Sequence, residues 1–176
     1  MDLIQQLKDK VKGANKRIAL PEATDARVLQ AAVQITKEGF AVPVLVGDEA
    51  AIKAAAAKEG VNIDGIEIIS PENFDRFQEG VDTFVELRAK KGMTPEKATQ
   101  TLHNDLFLGA MLVRLGVCDG MVAGSASPTA SVLRAALQII GTKKGSKTVS
   151  ACFFMFTKTP QYGEDGVKVF AACGVI

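Results

Sequence analysis

Short apolar runs alternate with amphipathic stretches along most of the chain. Apolar runs at Arg17–Leu20, 41–46 and 66–69 predict three buried strands, and the residues at 25–40 and Glu49–Glu59 have the spacing of helices that cover such strands. Strands that alternate with helices are typical of parallel pairing. The pattern therefore predicts an α/β fold, a three-layer α/β/α arrangement with a mainly parallel sheet.

Four further helices follow from the same periodicity. The segments 1–13, 74–91, Pro95–Leu102 and 106–115 each carry apolar residues at helical spacing. The last of these is nearly all apolar, with Arg114 as its one clearly polar residue. A helix that is apolar all round is buried, so we expect 106–115 to lie against the sheet or against another subunit.

The stretch 119–140 predicts a strand, a turn and a helix in succession. A short apolar strand at 121–123 leads into the small residues 124–127, where a ligand could approach the backbone closely. Ser127 is a suitable N-cap and Pro128 suits the first helical position, because its missing N–H would be an orphan there. The inward face of this helix is predicted to carry Leu133, Leu137 and Ile140.

This helix start is a candidate anion site. Free N–H groups at 127–130 and the positive end of the helix dipole favour a phosphate. Arg134 lies seven residues beyond Ser127, almost on the same face, and helical side chains lean toward the N-terminus. The alternative is an ordinary turn between a strand and a helix, with a surface arginine and no ligand.

The pattern changes near residue 147. A basic, glycine-containing connection at 141–147 separates the first segment from two apolar runs, at 149–156 and Val167–Cys173, which predict an antiparallel hairpin or a strand pair joined by a loop. We therefore predict an N-terminal α/β/α domain at 1–146 and the truncated start of a second α/β domain at 147–176. An apolar strand without a covering layer also makes association into a homo-oligomer plausible.

Charge and cysteine content narrow the classes of function. The 176 residues carry 21 basic and 20 acidic side chains, a net charge of +1, which disfavours a protein that coats nucleic acid or an anionic membrane. No apolar run is long enough to span a bilayer. The three cysteines lack CxxC spacing and the first ten residues lack a signal sequence, so we predict a cytoplasmic protein with small molecules or proteins as partners.

Other candidate groups have competing structural interpretations. His103 is the only histidine and is more often structural than catalytic in such a setting, and no cluster has the spacing of a metal site. The basic run at 143–147 is more typical of a solvated linker than of a phosphate site. Arg88 heads the cluster Arg88-Ala89-Lys90-Lys91, which fits either a bound phosphate or a solvated helix end.

Several segments together resemble the phosphate acetyltransferases, within the phosphate acetyl/butyryl transferase family. They are IALPEATDARVLQAA at 18–32, PVLVGD at 43–48, LRAKKG at 87–92, the block 102–140 beginning LHNDLFLGA and containing DGMVAGSASPTASVLRAALQII, and VKVFAACGVI at the end. The block 102–140 is the specific part, whereas related families share PVLVGD.

The resemblance implies reversible acetyl transfer between coenzyme A and inorganic phosphate, with coenzyme A as a substrate and no metal or redox cofactor. It implies that Arg88 contacts a phosphate of coenzyme A. It also implies that Arg134, together with the turn Ser127–Thr129, faces the acetyl phosphate pocket between two α/β domains. Pro128 stands where many relatives carry a hydroxyl, so Ser127 or Thr129 would have to supply the side-chain oxygen.

The resemblance also implies what this chain lacks. In the family, a serine–arginine pair and an aspartate that helps activate the thiol come from the later half, which has no counterpart here. We therefore expect these 176 residues alone to be inactive, with no catalytic residue among them. A butyryl-transferring relative and a non-catalytic ligand- or partner-binding module are the alternatives.

Overall fold

A computed structural model describes residues 3–146, 148–164 and 166–173, with the backbone alone for 172 and 173. The chain divides into two compact units, Met1–Ile140 and Gly141–Ile176. The domain division at 146 and 147 stays a prediction, and the predicted apolar end at 174–176 lies outside the described residues.

A four-stranded parallel sheet forms the centre of the first unit. Its strands are β1 (Arg17–Leu20), β2 (Val42–Val46), β3 (Glu67–Ile69) and β4 (Gly120–Met121), in the order β3-β2-β1-β4. Ile18 of β1 is in register with Pro43 on one side and Gly120 on the other. The predicted mainly parallel sheet is confirmed, with β4 shorter than expected.

Seven helices surround this sheet in the described part of the first unit. They are α1 (Leu3–Val11), α2 (Ala26–Glu38), α3 (Glu49–Glu59), α4 (Phe77–Arg88) with a 3-10 turn at Ala89–Lys91, α5 (Pro95–Leu102), α6 (Asp105–Arg114) and α7 (Thr129–Ile139). Asp25 and Asp48 cap α2 and α3 by accepting from the backbone N–H groups of Arg27 and Ala51.

The helices form layers on both faces of the sheet. On one face, Leu29 and Ala32 of α2 and Ile52 of α3 pack with Leu20 and Leu45 of the strands. On the other face, buried side chains of α6 pack against strand residues, in a cluster that contains Leu108, Leu112, Ala19, Val44 and Val46. The three-layer α/β/α fold is therefore confirmed, as is the burial of 106–115 against the sheet.

Behind α6, a further apolar cluster joins α6 to α4, α5 and α7. Its buried members include Val81 and Phe84 of α4, Leu102 of α5, Met111 of α6 and Ile139 of α7. This cluster fixes α7 against the α6 side of the sheet and so sets the position of the turn that precedes α7.

The predicted face of α7 is wrong. The buried residues are Ala135 and Ile139, whereas Leu137 and Ile140 are 46% and 38% exposed. The reason is that α7 meets the α4 and α6 layer through Ala135 and Ile139, which lie one helical turn apart on the same face.

The predicted start of α7 is also wrong. Pro128 is the N-cap, without a side-chain cap hydrogen bond, and the helix begins at Thr129. Ser127 therefore lies one residue before the cap, and its N–H donates to the Glu22 carboxylate at 2.6 Å.

The second unit is an antiparallel hairpin of β5 (Ser150–Phe156) and β6 (Val167–Cys173), with Phe153 opposite Phe170. The predicted hairpin is confirmed. Among the described residues of the whole chain, no helix is long and apolar enough to cross a membrane.

Candidate functional site

The strand order places a crevice between the ends of β1 and β4. The chain moves from β1 through β2 to β3 on one side, and β4 then pairs with the opposite side of β1. Ligands of open parallel sheets bind beyond the carboxyl ends of the strands at such a reversal. In this chain, Glu22 follows β1 and the turn 124–127 follows β4, so these two segments border the crevice.

Close packing below the crevice depends on Gly109 in α6. A Cβ atom at this position would lie 3.0 Å from the Met121 sulfur and 3.6 Å from the Pro21 ring. The absence of a side chain therefore lets α6 approach the ends of both β1 and β4. The segments that follow β1 and β4 are therefore both supported by the packing of α6 against the strand ends.

The turn 124–127 binds an anion, but the anion belongs to the chain itself. One carboxylate oxygen of Glu22 accepts from the N–H groups of Gly124 and Ser125, each at 2.9 Å. The other accepts from the N–H groups of Ala126 at 3.3 Å and Ser127 at 2.6 Å. Consecutive N–H groups that converge in this way form the anion-binding concavity known as a nest.

The backbone at Glu22 is in a conformation that glutamate rarely adopts. Its φ is +66°, in the left-handed region, which costs a residue with a Cβ about 1–2 kcal/mol. The hydrogen bonds that the Glu22 carboxylate accepts from the turn offset this cost. The turn contributes its own unusual conformation through Gly124, at φ +107°.

The hydrogen bonds also control the protonation of Glu22. Partial burial raises the pKa of this carboxyl, but hydrogen bonds from the Ser127 side chain and from the N–H groups of Gly124, Ser125 and Ser127 outweigh that effect. The pKa of Glu22 is consequently lowered to about 2. Glu22 is therefore a carboxylate at any pH near neutrality and keeps the nest filled.

Besides Glu22, Arg27 also connects the segment after β1 to the turn 124–127. Arg27 donates from Nη2 to the carbonyl oxygen of Ser125 at 2.6 Å and pairs through Nε and Nη2 with Asp25. The Arg27 side-chain hydrogen bond, together with the Arg27 N–H at the start of α2, lowers the pKa of Asp25 to about 2. The turn 124–127 is thus held both at its N–H groups, by Glu22, and at a carbonyl, by Arg27.

An apolar groove opens beside this bridge. Its volume is about 370 Å³, and it lies between α2 and the outer side of β1 and β4. Apolar side chains form its walls, and Glu22, Arg27 and Ser125 form its polar end; the apolar members are Ile18, Leu20, Val28, Ala31, Ile35, Phe40, Ala41, Val122 and Ala123.

Of the predicted phosphate-site residues, Ser127 precedes α7, Thr129 is its first residue and Arg134 lies in the middle of the helix. Ser127 is half-buried, whereas Thr129 and Arg134 are exposed. The expected free N–H at Ser127 is wrong, since Glu22 accepts from it at 2.6 Å.

Sequence reasoning assigned no role to Glu22 or Arg27, although both lie in the quoted segment 18–32. The signal that could have found them is their place directly after β1, at the carboxyl end of a central parallel strand. No pattern in the sequence connects Glu22 to residues more than a hundred positions away.

Arg88 lies at the last residue of α4, one helical turn after the buried Phe84. Its side chain is half-buried, and its Nε is buried without a hydrogen-bond partner among the described residues. A buried and unpaired N–H is costly, and it can be satisfied by an acceptor that arrives with a ligand. The solvated-helix-end interpretation does not account for this atom.

His103 has a structural explanation. It is the C-cap of α5, its Nδ1 lies 2.8 Å from the Thr99 carbonyl oxygen, and its ring meets Phe77 edge-on at 5.4 Å. Among the described residues, no group of three or more histidine, cysteine, aspartate and glutamate side chains could hold a metal ion.

Comparison with known proteins gives the family. The sequence profile described as "Phosphate acetyl/butaryl transferase" matches residues 2–176. The phosphate acetyltransferase of Acetivibrio thermocellus is 41% identical over 176 residues, which is all of this chain and 52% of that protein. The phosphate acetyltransferase of Thermoanaerobacterium thermosaccharolyticum is 42% identical over 175 residues, 99% of this chain and 53% of that protein.

Solved structures agree with these relatives. The EutD phosphotransacetylase from Staphylococcus aureus matches with a TM-score of 0.80 and 41% identity, over 89% of this chain and 48% of that one. A phosphotransacetylase from Streptococcus pyogenes matches with a TM-score of 0.80 and 36% identity. The match covers 89% of this chain and 47% of that one. The chain thus spans about half the length of the relatives it matches, and it belongs to the phosphate acetyl/butaryl transferase family.

Proposed function

We propose that this chain takes part in reversible acetyl transfer between coenzyme A and inorganic phosphate. In the direction of thioester formation, the thiolate sulfur of coenzyme A attacks the carbonyl carbon of acetyl phosphate. The bond from that carbon to the phosphate oxygen then breaks, and inorganic phosphate leaves. The observation that carries the proposal is the family match over residues 2–176, with relatives named as phosphate acetyltransferases.

Arg88 is proposed to bind a phosphate of coenzyme A. A guanidinium whose buried Nε lacks a partner has a donor to offer to an incoming phosphate oxygen, and the neighbouring Lys90 and Lys91 add positive charge. Arginine is well suited to this contact because its planar fork matches phosphate oxygens. Coenzyme A enters as a substrate, and we propose no metal or redox cofactor.

Arg134, Ser127 and Thr129 are proposed to hold acetyl phosphate or phosphate. Arg134 is exposed on α7 and follows Thr129 by five residues, so its guanidinium can lean toward the start of the helix. Positioning the acyl phosphate and stabilising its charge are the contributions that acyl transfer needs from such a site.

We further propose that the 176 residues alone transfer acetyl groups poorly, because they supply substrate contacts without a base that activates the thiol. The test is thioester formation from acetyl phosphate and coenzyme A by the purified chain. Turnover well below that of ordinary enzymes is expected. Turnover of about 10 per second or more would show that these residues include the full catalytic apparatus.

The acetyl group is favoured over the butyryl group because the curated relatives are named phosphate acetyltransferases. A comparison of acetyl phosphate with butyryl phosphate in the same assay tests this choice. The homo-oligomeric state and the cytoplasmic location stay predictions from the sequence.

A further inference from the structure

In the turn 124–127, every backbone N–H donates to one anion. Four consecutive N–H groups converge on a single carboxylate, at distances of 2.6 to 3.3 Å. The Ser125 hydroxyl adds a contact of 3.3 Å to the same Glu22 oxygen that its own N–H reaches. These donors point at one position, and Glu22 occupies it.

Two further observations indicate that this occupancy is built into the fold. The Glu22 backbone adopts φ +66°, a conformation rare for a residue with a Cβ, and the side chain of this residue reaches the turn. Arg27 holds the same turn from its other side, through the Ser125 carbonyl oxygen. Both constraints come from the segment after β1 and act on the segment that leads into α7.

We propose that Glu22 is a positioning residue, whose carboxylate permanently fills the 124–127 nest so that the turn orients Ser127, Thr129 and Arg134 for a phosphate that does not contact these four N–H groups. This inference rests on the proposed function, since it concerns the same phosphate subsite. It differs from an ordinary nest, in which the substrate phosphate itself is the bound anion.

Removal of the Glu22 carboxylate should have two effects. The phosphate-dependent shift at Thr129 and Arg134 should be smaller in Glu22→Gln than in the wild type, which a glutamate that only stabilises the fold would not cause, and the emptied turn should itself become an anion site. Removal of the carboxylate leaves four convergent donors without an acceptor, next to the positive end of the α7 dipole. Such a site should accept a free anion. A Glu22→Ala variant should therefore gain a phosphate site that the wild-type chain does not have.

The experiment is an amide NMR titration of the chain with inorganic phosphate, at constant ionic strength and neutral pH. In the wild type, the signals of Gly124, Ser125 and Ala126, whose N–H groups Glu22 accepts from and which lie outside the proposed phosphate subsite, should not shift. In Glu22→Ala they should shift along a saturable curve, and their hydrogen-exchange protection without phosphate should fall by about tenfold. Glu59→Ala, which removes an exposed carboxylate far from the turn in sequence, should behave as the wild type does.

Saturable phosphate shifts at the same three signals in the wild type would overturn the inference, because phosphate would then displace Glu22. Unchanged exchange protection in Glu22→Ala would also overturn it. Should Glu22→Ala not fold, Glu22→Gln keeps the shape of the side chain and should still lower the protection of these N–H groups, since a neutral oxygen is a weaker acceptor.

The proposed phosphate subsite is read separately in the same titration. Its signature is a phosphate-dependent shift at Thr129 and at the Arg134 side chain of the wild type. Absence of that shift contradicts the proposed subsite, whereas the exchange protection of the turn in the two Glu22 variants still decides whether Glu22 holds the turn.

Discussion

The Glu22 carboxylate accepts a 2.6 Å hydrogen bond from the backbone N–H of Ser127, which lies 105 residues further along the chain. This contact joins the end of β1 to the start of α7 across the point where the strand order reverses. It places a negative charge where a substrate phosphate would otherwise find the N–H groups of the turn. The proposed phosphate subsite therefore uses groups other than these four N–H groups, with Arg134 as its proposed guanidinium.

Acid should weaken the fold through Glu22. Its pKa is about 2 in the folded chain against an ordinary value of 4.5, so its stabilising contribution is complete above about pH 4.5 and is lost as the pH falls toward 2. As the pH is lowered through this window, the free energy of unfolding of the wild type should therefore decrease more steeply than that of Glu22→Gln.

Urea denaturation of both proteins at a series of pH values from 7 to 3 measures this difference. The gap between the wild type and Glu22→Gln should be widest near neutrality and should narrow below pH 4.5. Other carboxylates with lowered pKa values, Asp25 and Asp119 among them, act equally in both proteins and cancel in the comparison. If the free energies of unfolding of the two proteins change in parallel with pH, the charge of Glu22 does not contribute to stability.

Because the Glu22 backbone is strained, a glycine substitution can distinguish the role of its backbone conformation from the role of its carboxylate. Glu22→Gly removes the cost of φ +66° but also removes the carboxylate. If the hydrogen bonds to the turn dominate, Glu22→Gly should be destabilised by about 1–3 kcal/mol. If the residue matters only for its backbone conformation, the variant should be as stable as the wild type or more so. The midpoint of urea denaturation distinguishes the two results.

Much of the fold could be predicted from the sequence because local patterns determine it. The bounds of β1, α3, α5 and β6 follow from apolar runs and from capping residues such as Asp48 and Thr94. Periodicity failed for α7 because its apolar residues cover a broad arc, opposite the polar stripe of Ser131, Arg134 and Gln138, and only one edge of that arc is buried. The packing partner, rather than the pattern, decides that Ala135 and Ile139 are buried while Leu137 is exposed.

The candidate site was predictable only in part. Small residues before a helix predict a phosphate site at the N–H groups of 127–130, and that site stays a prediction, whereas the N–H groups of 124–127 donate to Glu22. That the anion is Glu22 depends on the pairing of β1 with β4, which sequence periodicity does not specify. Similarly, the buried Nε of Arg88 results from the packing of α4, and no spacing rule shows it.

Arg134→Lys should weaken phosphate binding with little effect on stability. A compact ammonium cannot reproduce the two-pronged contact of a guanidinium with phosphate oxygens, so we expect a loss of roughly 1.5–3 kcal/mol in phosphate affinity. Arg134 is exposed, and the melting temperature should stay within about one degree of the wild type.

Arg114→Lys is the matched control, because Arg114 is also an exposed helical arginine but lies at the end of α6. It should leave phosphate affinity unchanged. A lower melting temperature for Arg134→Lys with unaltered phosphate affinity would instead assign Arg134 a structural role.

The most direct test of the proposed function is calorimetric titration of the chain with coenzyme A, in the wild type, Arg88→Ala and Lys90→Ala. The account predicts saturable binding to the wild type, a loss of affinity of about tenfold or more in Arg88→Ala, and a smaller loss in Lys90→Ala, whose exposed ammonium offers only screened attraction. The absence of saturable binding, or equal affinity of the wild type and Arg88→Ala, would contradict the assignment of coenzyme A binding to these residues.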